Sequence, residues 1–316
     1  MTSYVVRRLL DLVFVLFGVS LLIFLMLRLI PGDAVAIMLG ANVDITPERV
    51  EALRRSLGLH LPLHEQYWQW LTGVLRGDLG RSIWTGRPVL DEILARLPVT
   101  LQLTGLALAT ALVVSFPIGI LSASLRGGTA DTVVRILAIL GLTLPSFWVG
   151  VLMLYFASVY LPHWPTIGFV PFADDPAGNL ARMVLPVIAV SLPMIAGLSR
   201  ILRSSLLDVL SLDYIRTGRA KGLSRRTLLY KHALRNAMIP VITVIGVQVG
   251  YLLSGVVVIE QVFAIPGLGR LIIGGINERN YPLVQGIILI VTAVFVCVTL
   301  LVDLAYAWID PRVEYA

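Results

Sequence analysis

The composition of this 316-residue chain is typical of a membrane protein. Hydrophobic residues make up 57% of the chain and charged residues only 14%, whereas a soluble domain carries about 25% charged residues to keep its surface hydrated. Disordered, collagen-like and coiled-coil chains are excluded on the same grounds. The net charge of +6 suits anionic lipid head groups and acidic partners, and nucleic acid is a weaker interpretation. The only cysteine, Cys297, excludes an intrachain disulfide and a cysteine-based metal site.

Six segments are apolar over a length that approaches or exceeds the about 20 residues that a helix needs to cross a bilayer. In chain order they are Leu9–Ile30, Val99–Ser124, Val133–Leu161, Met183–Leu202, Ala237–Ile259 and Leu283–Leu304. The first segment is longer than the apolar part of a secretory signal, so we expect it to be retained as a span. Pro186 and Pro193 interrupt the fourth segment, which membrane helices tolerate. The pattern predicts an all-α integral membrane protein with six transmembrane helices.

The distribution of Lys and Arg predicts that the N-terminus and the C-terminus both face the cytoplasm. With that orientation the inner segments hold fourteen basic residues, and the outer loops after the third and fifth spans hold only Arg182, Arg270 and Arg279. Basic residues concentrate in short cytoplasmic loops, and this bias sets the topology. The first outer loop, 31–98, is too long for the rule to apply.

Loop 31–98 is also too long to be a simple connection. Thr46 and Pro47 predict the start of a helix that Gly58 ends. A second amphipathic stretch, Leu63–Leu75, carries tyrosine and tryptophan side chains that favour a membrane interface. Both helices are interpreted either as lying on the outer leaflet or capping the bundle, or as a platform for an external binding protein.

The loops lack the motifs of an enzyme or a nucleotide-binding protein. There is no GxxxxGK[ST] phosphate loop, and the glycines at 267–269 follow a proline in an outer loop instead of a strand. His60 and His64 are separated by Pro62, which breaks the helix that would align them as metal ligands. We therefore predict that this chain is not an enzyme and holds no cofactor or metal. Energy for transport would have to enter from another protein.

The predicted spans offer few charged groups for ion coupling. Apart from Arg135 and Arg200, which lie near the ends of the third and fourth, the second to fifth hold no Asp, Glu, Lys, Arg or His, whereas proton-coupled carriers place such residues at mid-membrane. Sodium could still bind backbone carbonyls, so an ion-coupled carrier stays an alternative, as does a scaffold without cargo. The polar residues Ser146, Gln248 and Ser254 are candidates for a translocation path, while Gly246 and Gly250 are better explained by helix packing.

The inner connection 203–236 predicts a short helix that could contact another protein. Ser211 is a candidate N-cap, Asp213 suits the positive end of a helix, and Gly222 is a candidate stop. Tyr214 and Ile215 are interpreted as apolar anchors in a groove of the partner. The residues assigned to this contact are Asp213, Tyr214, Ile215, Arg216, Thr217, Gly218, Arg219, Ala220, Lys221 and Gly222, with small side chains at 217, 218 and 220 and basic ones at 216, 219 and 221. A second helix, with a basic face, is expected to start after Ser224.

Several stretches of the chain resemble one family. Residues 213–240 read DYIRTGRAKGLSRRTLLYKHALRNAMIP and resemble the cytoplasmic loop of ABC-importer permeases of the dipeptide/oligopeptide/nickel type. GDLGRSI at 77–83, RLPVTLQLT at 96–104, IEQVFAIPGLGRLI at 259–272 and RNYPLVQG at 279–286 resemble the same family in the same order. The general loop pattern of importer permeases is EAA, then three residues of any type, then a glycine, which corresponds here to Gly222. Here Arg216, Thr217 and Gly218 stand in those positions, so the glutamate is absent.

The resemblance implies the permease bundle of a type I ABC importer in the bacterial cytoplasmic membrane. It implies a first transmembrane helix within 1–30, a large extracytoplasmic loop at 31–98, and a five-helix core at 99–316 that contains the coupling loop 203–236. The implied heteromeric complex adds a second homologous permease, two ATP-binding domains that hold ATP and Mg²⁺, and an external substrate-binding protein. The implied cargo is a dipeptide or oligopeptide, with nickel, glutathione and other peptide-like solutes left open.

Overall fold

The computed structural model of the chain describes residues 2–29 and 60–309, with positions 48, 51, 54, 55 and 58. Within these ranges the regular elements are helices, which confirms the all-α class. The helices are α1 (Thr2–Leu29), α2 (Leu63–Leu75), α3 (Val89–Ser124), α4 (Thr129–Thr143), α5 (Ser146–Tyr160), α6 (Pro176–Leu210), α7 (Asp213–Ala220), α8 (Leu234–Val262), α9 (Leu268–Asn277) and α10 (Tyr281–Ile309). A helical turn, Arg225–Thr227, and a π-helical segment, Leu228–Ala233, lead into α8. Thr46 and Pro47 lie outside the described residues.

The helices account for the six predicted spans. Four stretches are long and apolar enough to cross a membrane, namely Val89–Ser124, Pro176–Leu210, Arg225–Gly250 and Tyr281–Leu300. The first predicted span falls in α1, which has 28 residues and contains a shorter apolar stretch. The third predicted span corresponds to α4 and α5 together. Several helices extend beyond the predicted ends of their spans. Helix α6, for example, begins at Pro176, because the preceding Asp175 caps it by accepting a hydrogen bond from the Gly178 amide at 2.9 Å.

The prediction of one continuous third span over Val133–Leu161 is wrong. The chain bends by 104° between α4 and α5. Pro145 has no amide hydrogen and disfavours the helical conformation of the preceding residue, and Leu144 is accordingly extended, with φ −77° and ψ 127°. The Thr143 hydroxyl donates to the Ile139 carbonyl at 2.8 Å in the last turn of α4. The proline thus divides this apolar segment into two helices of 15 residues each.

One compact unit comprises Met1–Val99 and Gly267–Cys297. Its largest core cluster consists of Leu79, Val89, Ile93, Leu268, Leu283 and Ile287. Helix α10 approaches the start of α3 so closely that a Cβ atom at Gly286 would lie 2.7 Å from Val89 Cγ1. The loop before α3 is held by Asn280, whose Nδ2 donates to Ser82 Oγ at 2.8 Å. Glycine at 286 is therefore required by packing.

Helix α2 packs on α1 through aromatic side chains. The hydroxyl groups of Tyr67 and Ser20 are 2.8 Å apart, and the Tyr67 ring stands edge-on to Phe24 with ring centroids 5.3 Å apart. Trp70 stacks on Phe24 at 6.4 Å, whereas Trp68 is exposed. The aromatic residues of α2 thus divide between a contact with α1 and the surface.

The second compact unit comprises Thr100–Pro266 and Val298–Ala316, and α6 is its central helix. Helix α6 packs against α4, α5 and α8 and buries residues along most of its length. Close approach depends on small residues. A Cβ atom at Gly141 of α4 would lie 3.0 Å from Ala196 Cβ, and one at Gly119 of α3 would lie 3.0 Å from the Ser199 carbonyl oxygen. This unit contains the predicted contact helix.

Candidate coupling site

Helix α7 starts almost directly after α6, and its N-terminus differs from the prediction. Ser211 is not its N-cap. The Ser211 hydroxyl donates to the Asp208 carbonyl at 2.7 Å, and Ser211 ends α6. Leu212 occupies the N-cap position of α7 with an extended backbone and no capping side chain. Because a serine can equally satisfy the last carbonyls of one helix or the first amides of the next, the sequence did not decide between them.

The C-terminal end of α7 follows the prediction closely. Gly222 has a left-handed conformation, with φ +81°, which glycine adopts without steric cost. The Gly222 amide donates to the Arg219 carbonyl at 3.0 Å, and the Leu223 amide donates to the Gly218 carbonyl at 3.2 Å. These two bonds are those of a Schellman motif. The helix therefore ends at a defined turn.

The inner face of α7 rests on the segment that leads into α8. Ile215 is fully buried. A Cβ atom at Gly218 would lie 2.8 Å from Leu228 Cδ2 and 3.4 Å from Leu223 Cδ1, so no side chain fits there without displacement of these leucines. Leu228 begins the π-helical segment and is itself buried. Ile215 and Gly218 hold α7 against the rest of the second unit.

This packing corrects two expectations about the contact surface. Ile215 is not an exposed anchor for a partner, because it is buried inside this chain. Thr217, Gly218 and Ala220 do not form one small-residue face, because Gly218 points inward while the other two are exposed. Residues three and four apart share a face of a helix. We call the exposed residues Asp213, Arg216, Thr217 and Ala220 the outward stripe of α7.

Polar contacts hold the outward stripe and its flank in place. Arg216 donates to the Asp213 carboxylate at 3.1 Å, and the Thr217 hydroxyl donates to the Asp213 carbonyl at 3.0 Å. The Tyr214 hydroxyl, on the flank, accepts from Asn236 Nδ2 at 2.8 Å, which ties α7 to α8. Asp213 lies in the first turn and Arg219 in the last, where each charge is favourable with respect to the helix dipole.

The segment after α7 also connects to α3. Ser224 caps the next helical turn by accepting from the Thr227 amide at 3.2 Å, so the prediction that a helix starts after Ser224 is confirmed. The Arg225 guanidinium donates to the carbonyl of Ser124, the last residue of α3. This bond satisfies a carbonyl group that the helix leaves without an internal partner.

A buried ion pair near the ends of three helices was missed by the sequence reasoning. Arg203 of α6 donates to both carboxylate oxygens of Asp131 of α4, at 2.7 and 2.8 Å. Ser122 Oγ of α3 donates to the same carboxylate at 2.6 Å, and the Gly127 amide donates at 3.1 Å. Asp131 is 1% exposed. A lone aspartate so close to the start of an apolar segment was the available signal, because a buried carboxylate requires a partner.

The candidate path residues lie on two helices. Ser146 is the first residue of α5, directly after the bend. Gln248 lies in α8, where its Nε2 would be 2.9 Å from a Cβ atom at Gly197 of α6. Ser254 also belongs to α8 by its backbone, but its side chain lies outside the described part. The role of these three residues stays a prediction.

A second buried carboxylate, that of Glu260, lies near the C-terminal end of α8. Glu260 is fully buried, and its Oε1 accepts from the Thr100 hydroxyl at 2.6 Å. Glu260 lies one residue beyond the predicted fifth span and within the motif at 259–272, to which the sequence reasoning assigned no individual role. Over the described ranges, no group of three His, Cys, Asp or Glu side chains is placed to bind a metal ion. The hydrogen bond from Thr100 to Glu260 joins α3 to α8.

Comparison with known proteins places these features in a family. Residues 115–315 match the binding-protein-dependent transport system inner membrane component, and residues 1–104 match the N-terminal part of such membrane components. A putative peptide transport system permease of Brucella abortus (strain 2308) is 42% identical over 315 residues, which cover 100% of both chains. A probable peptide ABC transporter permease of Sinorhizobium fredii and the glutathione transport system permease GsiC of Escherichia coli K12 are each 39% identical, again over 100% of both chains.

The fold defines a multi-pass helical membrane protein in which the short helix α7 follows the candidate span α6. The chain belongs to the family of binding-protein-dependent transport system inner membrane components, and it is a permease subunit of a bacterial ABC importer. A permease of this family works with ATP-binding and substrate-binding partners. The resemblance noted from the sequence motifs is thereby confirmed.

Proposed function

We propose that this chain forms part of an ATP-driven pathway that carries dipeptides or oligopeptides into the cytoplasm. Relatives named as peptide permeases, 42% and 39% identical over the whole chain, support this cargo. Glutathione is the second candidate, because a permease named for it is 39% identical. Nickel has less support, since all four histidines of the chain lie outside the predicted apolar segments and Ni²⁺ favours imidazole ligands.

The outward stripe of α7 is the proposed docking surface for an ATP-binding subunit. The proposal rests on how α7 packs. Ile215 and Gly218 face the interior of this chain, and the four residues of the outward stripe are exposed on the opposite face. Because one face of α7 is packed against the segment that leads into α8, a partner that displaces α7 would displace this segment as well. ATP and Mg²⁺ would bind to the partner, and hydrolysis would occur there.

The contacts of α7 supply a route by which that movement would reach the spans. Gly218 bears on Leu228 at the start of the π-helical segment, and Tyr214 is bonded to Asn236 of α8. Arg225 carries the connection to the end of α3. Movement of α7 would therefore shift α8, which contains the candidate path residue Gln248. Small displacements are transmitted in this way because packed interfaces rearrange as units.

The proposed assembly contains this chain, a second homologous permease, two ATP-binding domains and an external substrate-binding protein. In this arrangement both termini and α7 face the cytoplasm, as the distribution of basic residues predicts. The outer loop 31–98 faces the binding protein. Its helix α2 is anchored on α1 through Tyr67 and Phe24, which supports a fixed platform in that loop.

Reconstituted transport tests the proposal. The complete complex in proteoliposomes is given labelled dipeptides, oligopeptides, glutathione or Ni²⁺, with and without ATP. We expect ATP-dependent peptide uptake that disappears when the ATP-binding subunits carry an inactive nucleotide site. Uptake by this chain alone under an ion gradient would overturn the importer mechanism. ATP-dependent uptake of Ni²⁺ without peptide uptake would overturn the cargo.

A further inference from the structure

A cavity of about 430 Å³ opens beside α7, within the second compact unit. Ligand pockets in proteins measure about 300–1,000 Å³, so the cavity is large enough for part of a small molecule. Its lining residues are Ser124, Leu210, Arg219, Leu223, Arg225, Leu228 and Leu229. The wall thus combines two guanidinium groups with four leucines.

The two arginines leave donors available in this cavity. Among the described residues, no hydrogen bond or ion pair of the Arg219 guanidinium is found, although α7 itself is well ordered by its Schellman turn. Arg225 uses one nitrogen to bond the Ser124 carbonyl. A guanidinium has five N–H donors in a planar fork, so Arg225 keeps further donors for a ligand. The arrangement suits an anion with several acceptor oxygens.

Three candidate membrane spans have an end at this cavity. Ser124 is the last residue of α3, Leu210 is the last residue of α6, and Arg225 begins the stretch Arg225–Gly250. Ser124 also ends the predicted apolar segment Val99–Ser124, whereas Leu210 and Arg225 lie beyond the ends of the predicted segments Met183–Leu202 and Ala237–Ile259. The cavity therefore adjoins the edge of the hydrocarbon layer at Ser124, and the arginines lie on its aqueous side.

We propose that this cavity binds the phosphate head group of an anionic phospholipid. The phosphate oxygens are held by Arg219 and Arg225, and the first part of an acyl chain lies against Leu210 and Leu223. Basic pockets between membrane helices on the cytoplasmic side bind anionic head groups in this way. An acidic side chain of a protein partner would pair with the arginines but would leave the partly exposed Leu210 and Leu223 uncovered. The proposal uses the proposed function only to assign the cavity to the cytoplasmic leaflet.

Lipid retention by the purified full-length chain tests the site. Native mass spectrometry after titration with phosphatidylglycerol or phosphatidylcholine measures the affinity of each lipid without any ATP-binding subunit. We expect preferential retention of phosphatidylglycerol, and about fivefold weaker binding of it by Arg219→Gln. Arg219 is chosen because no internal contact is lost. Arg226→Gln is the matched control, because Arg226 is exposed next to Arg225 and does not line the cavity.

Each contrary outcome has a defined meaning. Equal retention of the two lipids, or equal weakening by Arg226→Gln, would overturn the head-group site. Competition by millimolar inorganic phosphate alone would assign the arginines to a free anion instead of a lipid. Unchanged phosphatidylglycerol binding by Arg219→Gln would also overturn the head-group site, and loss of binding of this variant to the ATP-binding subunit in a separate pull-down would then assign Arg219 to an acidic partner residue. Failure of lipid binding leaves ATP-driven transport untouched, so the two proposals fail separately.

Discussion

Replacing Arg203 by methionine leaves the Asp131 carboxylate buried without its counter-ion. In the native chain the guanidinium donates to both carboxylate oxygens at 2.7 and 2.8 Å. The substitution keeps an unbranched side chain and removes the charge and both hydrogen bonds. Loss of one partner of a buried ion pair costs about 3–5 kcal/mol. Because the Arg203 side chain is 20% exposed to water, we expect a loss near the lower limit, about 3 kcal/mol.

The free energy of unfolding, measured by denaturant titration in mixed detergent micelles, gives the test. Arg200→Met on the same helix is the control, because Arg200 is exposed and surface substitutions change stability by about 0.5 kcal/mol or less. Asp131→Asn combined with Arg203→Met should recover about 1–2 kcal/mol, since it removes the unpaired charge. Equal stabilities of Arg203→Met and Arg200→Met would refute the role of this pair in holding α3, α4 and α6 together.

Three further substitutions probe α7 and the second buried carboxylate. Gly218→Val should displace α7 by overpacking, which costs about 1–3 kcal/mol of stability, and should lower the amount of peptide taken up per ATP hydrolysed. Gly274→Val is the control and should change neither quantity, because a Cβ atom at Gly274 has open space. Gly222→Ala should cost about 1 kcal/mol in a thermal unfolding assay, because its φ is +81°. Thr100→Val removes the Thr100 hydrogen bond to the buried Glu260 carboxylate, which has a further partner, and should cost about 1.5–3 kcal/mol in the denaturant titration. Wild-type stability of Gly222→Ala or of Thr100→Val would contradict these assignments.

Features encoded by local chemistry could be predicted from the sequence. The number of spans follows from the length of apolar segments, which the bilayer thickness dictates. The end of α7 follows from Gly222, because a left-handed turn after a helix favours glycine. The bend before α5 also had a local signal, since Pro145 lies inside the predicted span. The error there was to treat this proline like Pro186 and Pro193, which α6 accommodates without ending.

Features that depend on contacts between distant residues could not be predicted. Asp131 and Arg203 are 72 positions apart, and no periodicity joins them. The direction in which Ile215 and Gly218 point depends on Leu228, which follows α7 after a turn. A short amphipathic helix has an inner and an outer face, but its own sequence does not say whether the apolar residues face its own chain or a partner. The position of the coupling site along the chain stays a prediction, and the structure corrects only the expected partner contact of Ile215, which is buried in its own chain.

Photocrosslinking from the outward stripe tests the central claim most directly. Benzoylphenylalanine is placed at Thr217 or Ala220 in the complete complex, and at Phe172, an exposed residue between α5 and α6, as the control. We predict adducts with the ATP-binding subunit from both α7 positions and none from position 172. Absence of adducts from both α7 positions, or equal adducts from position 172, would contradict the docking of an ATP-binding subunit on α7.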